Sequence, residues 1–176
     1  MRRVKFLDIT KNMVRLAVPA GLIALIGLST ESCLAQNQSN RFPESPIKAS
    51  LACETQKIVS AKPFTLFVVF DIEPGWHIYY KDPGQSGMPT QVDLTLPKSF
   101  TAQPLSWPPA ERFKEAGIVT YGYTKKVRLS TIITPSKDLK SGDLVSIKAA
   151  AKWLACKHSC VPGSSSFLLD LKVQSK

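Results

Sequence analysis

The chain is short of the residues that build metal centres and acidic clusters. Its 176 residues hold two histidines, four cysteines and 13 acidic side chains against 23 Lys and Arg. After residue 35 only Cys53, Cys156 and Cys160 remain as thiols, so a four-ligand zinc site lacks donors. No apolar run of membrane length follows the N-terminal one, which leaves the remainder of the chain a soluble protein by expectation. No internal repeat is visible, and beyond residue 35 no segment carries a helical period. That last absence excludes a thioredoxin-type site, whose Cys-x-x-Cys sits at a helix N-terminus where the dipole lowers the thiol pKa. Nucleic-acid binding has no support beyond a dispersed positive charge, densest at Lys125-Lys126-Arg128; a lysine-rich strand edge that discourages sheet-to-sheet pairing explains that cluster as well.

The N-terminus reads as an export signal. Arg2, Arg3, Lys5, Lys11 and Arg15 make a positive region, Leu16 to Leu28 an apolar one, and Cys33-Leu34-Ala35 puts small residues at −3 and −1 of a cleavage before Gln36. The apolar run is shorter than the roughly 20 residues a spanning helix needs. An uncleaved anchor is the alternative. Arg2-Arg3 gives only a weak twin-arginine signal, and Glu31-Ser32 before Cys33 is no lipobox. The expected organisation is a signal peptide over 1–35, a polar tail over 36–46 and one domain over 47–176. Removing the leader leaves 18 basic against 11 acidic residues, a net charge of +7.

Beyond the tail the apolar residues alternate. Phe64, Leu66, Val68, Phe70 and Ile72 line one face of a strand; Val127, Leu129, Thr131 and Ile133 another; Val145, Ile147, Ala149, Ala151 and Trp153 a third; Phe167, Leu169, Leu171 and Val173 a fourth. Pro74-Gly75, Pro83-Gly84, Pro108-Pro109 and Pro162-Gly163 punctuate them. Half-buried strands at this spacing predict an all-β, antiparallel β-sandwich of seven to nine strands.

Cys156-Lys157-His158-Ser159-Cys160 stands at the end of the third of these strands. A disulfide there closes a ring of five residues, for which chain entropy gives only about 2 kcal/mol. A structural staple is better placed between distant strands, so a redox-active pair is the more economical reading. Lys157 and His158 can stabilise a thiolate. Cys156 ends an alternating strand and is expected to be the more enclosed; Cys160 precedes a Val-Pro-Gly turn and is expected to be accessible. The odd cysteine count after the leader keeps one thiol out of an intrachain pair or joins it to another chain. Cys53, in Ala49-Ser50-Leu51-Ala52-Cys53, reads as a small buried hydrophobe.

Four ordered segments carry a resemblance. They are Pro74-Gly75-Trp76-His77-Ile78-Tyr79-Tyr80-Lys81-Asp82-Pro83-Gly84-Gln85-Ser86-Gly87, then Trp107-Pro108-Pro109-Ala110-Glu111-Arg112-Phe113, Gly117-Ile118-Val119-Thr120-Tyr121-Gly122-Tyr123, and the cysteine segment. Together they resemble the N-terminal periplasmic domain of DsbD-type thiol:disulfide interchange proteins, including the suppressor-of-copper-sensitivity B branch. The resemblance implies an immunoglobulin-like sandwich with a redox dithiol at Cys156 and Cys160. It implies attack by the partner thiol at Cys160, a shielding cap loop at Phe113, and Tyr79 or Tyr80 in the aromatic surround. It further implies a periplasmic location, roles in cytochrome c biogenesis or copper tolerance, and no cofactor. The implied partners are a DsbD-like membrane reductase, expected on another polypeptide, and thioredoxin-like periplasmic proteins. Taken singly, Trp76, Tyr79, Tyr80, Trp107 and Phe113 read equally well as sandwich core, and His77 as a surface or hydrogen-bonded histidine.

Two rival functions follow from the same residues. Cys156, His158 and Cys160 are soft donors that suit Cu(I). A non-catalytic immunoglobulin-like assembly module, its disulfide only pinning the last hairpin, is the other.

Overall fold

The computed structural model describes residues 45–175 and the backbone of 33–34 and 36–38. Most of the expected leader and tail therefore lies outside the described residues. Short N-terminal strands run over Cys33–Leu34 (β1) and Gln36–Gln38 (β2). The domain then folds through Ile47–Cys53 (β3), Lys57–Val59 (β4), Phe64–Ile72 (β5), His77–Gly84 (β6), Gln91–Thr95 (β7), Thr101–Ala102 (β8), Glu111–Glu115 (β9), Ile118–Tyr123 (β10), Val127–Thr134 (β11), Leu144–Cys156 (β12) and Cys160–Gln174 (β13). No helix occurs among the described residues, and none there is long and apolar enough to cross a membrane. The four alternating stretches of the sequence are β5, β11, β12 and β13. The strand count exceeds the expected seven to nine because β1, β2, β4 and β8 are only two or three residues long, too short to show a period.

Two sheets face one another in an immunoglobulin-like sandwich. One has the order β1-β3-β5-β11-β8; the other runs β2-β13-β12-β6-β10-β9, with β4 added beside β13 and β7 beside β12. All pairings are antiparallel except β4 with β13. In the first sheet Cys33 lies opposite Cys53 and Leu34 opposite Ala52.

Alternation makes the core. Leu51, Leu66, Val68, Phe70, Leu129 and Ile133 from the first sheet meet Ile78, Ile147, Trp153, Leu169 and Leu171 from the second, all buried. Phe70 and Trp153 make an edge contact across the two layers, with ring centroids 5.5 Å apart. Each such side chain stabilises the fold by about 1.5–3 kcal/mol on full burial. This core fixes the long β12–β13 hairpin, which pairs from Leu144 opposite Lys172 to Cys156 opposite Cys160. Its tip carries the cysteines.

Candidate redox site

β12 ends at Cys156, and after Lys157-His158-Ser159 the chain reverses into β13 at Cys160. The Lys157 amide donates to the Ser159 carbonyl oxygen at 3.1 Å and tightens this turn. Cys156 and Cys160 are joined in a disulfide, with Cα atoms 4.1 Å apart. The two sulfurs occupy unequal positions, in the order the sequence leads one to expect. Cys156 is 3% exposed, whereas Cys160 is an exposed residue.

The burial of Cys156 does not come from the sandwich interior. Trp153 and Ala155 point into the core, and Cys156, next along the strand, stands outside that cluster. Strand alternation therefore turns it to the outer face. On the neighbouring strand Ile78, opposite Ala155, belongs to the core, while His77 lies opposite Cys156. His77 and Tyr79 thus share the outer face with Cys156. They touch edge to face, ring centroids 5.2 Å apart, and His77 also meets the Phe113 ring at 5.1 Å.

Phe113 is brought there by a hairpin. β9 and β10 pair from Glu115 opposite Ile118 to Glu111 opposite Gly122. The two linking residues, Ala116 and Gly117, have φ of 46° and 86°, the sign pattern of a type I′ turn, whose twist suits a two-residue hairpin. Gly122 makes the close approach possible. A Cβ there would strike the Ile78 carbonyl oxygen and stand 3.1 Å from Phe113 Cε2. The expected cap loop is therefore a strand, with Phe113 at the middle of β9 and half-buried.

Local electrostatics follow from this enclosure. Burial lowers the His77 pKa from its ordinary value, and the nearby Glu115 carboxylate acts against that shift. Burial, then the same carboxylate, raises that of Tyr79. Tyr79 is also held from behind, since its carbonyl accepts a 2.6 Å hydrogen bond from the buried Thr90 hydroxyl.

The other residues singled out from the sequence are placed differently. Tyr80 faces the opposite way and stacks edge to face on Trp107 and Tyr123, at 5.6 and 6.1 Å. It packs against the core rather than joining the rings around His77. The Tyr123 hydroxyl donates to the Pro108 carbonyl at 2.7 Å, and burial, with a smaller effect of Tyr80, pushes its pKa up to about 12. Lys157 and His158 are both exposed, and the Lys157 side chain lies across Gly75. Among the described residues no three His, Cys, Asp or Glu side chains cluster as a metal site. Cys53 is buried at the end of β3, its thiol donating to the Thr55 carbonyl at 2.7 Å.

His77 is the site residue that sequence reasoning undervalued. Its i, i+2 relation to Tyr79 on a strand was a readable sign of a shared face. Its position opposite Cys156 depends on which strands pair, and nothing local specifies that.

An immunoglobulin-like sandwich bearing a short-range disulfide at a hairpin tip, with His77 opposite it and aromatic rings against that histidine, defines a class of thiol–disulfide domain. The chain belongs to the family of the N-terminal domain of thiol:disulfide interchange protein DsbD, whose model matches residues 46–172. Among solved structures it is similar to the N-terminal periplasmic domain of ScsB from Proteus mirabilis. The TM-score is 0.54 at 22% identity, over 75% of this chain and 49% of that one. The chain thus spans about half the length of that relative. The reduced N-terminal domain of Neisseria meningitidis DsbD aligns with a TM-score of 0.44 and 12% identity, over 64% of this chain and 82% of that one. No curated protein sequence matches the chain.

Proposed function

We propose that this chain is a periplasmic thiol–disulfide exchange module. It takes electrons from a DsbD-like membrane reductase and passes them to thioredoxin-like periplasmic proteins through Cys156 and Cys160. On this reading residues 1–35 are an export signal removed before Gln36, 36–46 a tail, and 47–176 the working domain. The observation that carries the reading is the asymmetry of the pair: an exposed Cys160 bonded to a buried Cys156 that lies opposite His77 on the adjacent strand. Exchange needs one reachable sulfur and protection of the other from stray oxidants.

The chemistry runs in two halves. A partner thiolate attacks Cys160 Sγ; the partner–Cys160 bond forms as the Cys160–Cys156 bond breaks, and the electron pair leaves on Cys156 Sγ. A second thiolate of the partner then attacks its own sulfur in the mixed disulfide and releases Cys160. The partner ends oxidised and the pair reduced. The reduced pair attacks a substrate disulfide through Cys160, and Cys156 resolves that intermediate. Substrate leaves as a dithiol and the Cys156–Cys160 bond returns.

Trapping tests the order of attack. The Cys156→Ala variant should accumulate a covalent complex through Cys160 with a partner lacking its own resolving cysteine, and Cys160→Ala should form none. Equal trapping by both variants overturns the order, and trapping by neither overturns the exchange function in favour of a structural disulfide. The reduction potential separates the same two readings. A relay pair should lie well above about −300 mV and a structural bridge below it.

A further inference from the structure

The proposed exchange places its leaving sulfur where an anion is poorly solvated. Attack on Cys160 expels Cys156, which is almost fully buried, and apolar surroundings raise a thiol's pKa. The sulfur therefore needs a proton when it leaves and must lose one before it attacks. The two polar residues between the cysteines are exposed, and Lys157 lies along Gly75. The side chain opposite Cys156 on the adjacent strand is His77. Directly opposed residues of an antiparallel pair project from one face with Cβ atoms about 4.5–5.5 Å apart. Cys160, Cys156 and His77 thus stand in one row across β13, β12 and β6, and Phe113 and Tyr79 enclose the imidazole at its end.

We propose, resting on the exchange reading above, that His77 carries the proton of the Cys156 thiol. In resolution the neutral imidazole accepts that proton. The Cys156 thiolate attacks Cys160 Sγ of the mixed disulfide, the Cys156–Cys160 bond forms, and the substrate sulfur leaves with the electron pair of the broken bond. In the opposite direction the imidazolium returns its proton to the expelled Cys156 thiolate. Burial favours the neutral ring, the form that accepts a proton, and Glu115 limits how far that preference goes. Of the titratable groups on the elements around it, those placed against it are Glu115 on β9, Tyr79 on β6 itself and Cys156 opposite it on β12, with the Lys157 ammonium beyond β12 directed along Gly75.

The test uses the full exported chain, its Cys156–Cys160 pair first reduced with a dithiol and the reductant removed, and an oxidised thioredoxin-like protein, quenched with acid so that mixed disulfide and product are counted separately from pH 6 to pH 9. His77→Phe keeps a ring against Phe113 and Tyr79 and removes the proton carrier; His77→Gln is the second variant should the first fail to fold. At pH 7 either substitution should slow resolution by about a hundredfold, the lower end of what a positioned base contributes, so the mixed disulfide accumulates. The gap should narrow toward pH 9 as hydroxide deprotonates the thiol. Cys156→Ala with His77→Phe should still form the Cys160 mixed disulfide at the rate of Cys156→Ala alone. If that double variant and Cys156→Ala both fail to couple, the exchange reading itself falls. If they couple while the His77 variants follow the parent curve at every pH, His77 only packs the site and the inference is wrong.

Discussion

Phe113 touches His77 from the hairpin at the edge of the sheet, so its ring is the removable part of the enclosure. Phe113→Ala should leave the sandwich folded, because the side chain is half-buried and outside the core cluster. Its cost should be about 1–2 kcal/mol, less than the 3–5 of a buried phenylalanine. After reduction, maleimide should label Cys156 several-fold faster in this variant than in the parent. Unchanged labelling would mean that the ring does not shield the thiol. At this scale the sequence was informative about the cysteines and much less so about what surrounds them. Alternation up to Trp153 and the Val161-Pro162-Gly163 turn were enough to rank Cys156 as enclosed and Cys160 as accessible. Tyr79 and Tyr80 could not be separated without knowing which face looks into the core. The structure splits them, Tyr79 with His77 and Tyr80 with Trp107 and Tyr123.

The β9–β10 hairpin shows where element-level reading stops. β5, β11, β12 and β13 alternate because one face of each is buried, and that pattern survives in the residue order. β9 reads Glu-Arg-Phe-Lys-Glu with only its central residue half-buried. An edge strand with a single half-buried residue carries no alternating apolar face to read, and the resemblance implies a cap loop there. β10 is fixed instead by backbone fit at Gly122, where it pairs closely alongside β6. Gly122→Ala should force the Ile78 carbonyl and the Phe113 ring apart and cost about 1–3 kcal/mol, the usual range for overpacking. A urea titration reads it as a lowered midpoint with an unchanged slope. The same variant should speed Cys156 labelling after reduction, as Phe113→Ala does. A midpoint equal to the parent's would show that the hairpin does not depend on this approach.

For the molecule as a whole, the two-sheet architecture was legible from strand spacing and the absence of helical period, and the family match extends over the same domain. The processing of the N-terminus is a separate question. Exported protein should begin at Gln36, which removes Cys33, the residue facing Cys53 across β1 and β3. N-terminal sequencing reads this directly; a start upstream of Cys33 would refute the cleavage site and keep the two opposed residues in one chain. The position of the disulfide at the tip of a continuous hairpin has its own thermodynamic consequence. Its ends are already neighbours through the β12–β13 ladder, and the ring it closes is small, so the bond adds only about 2 kcal/mol to folding. Calorimetry should therefore find oxidised and reduced forms melting within about 4–8 °C of one another; a gap of 15 °C or more would mean that the bond is a staple. By the thermodynamic cycle that joins folding to reduction, about 2 kcal/mol corresponds to roughly 40 mV for a two-electron couple. On the proposed exchange function, folding and electron storage are thus only weakly coupled, and reduction and reoxidation should leave the sandwich folded.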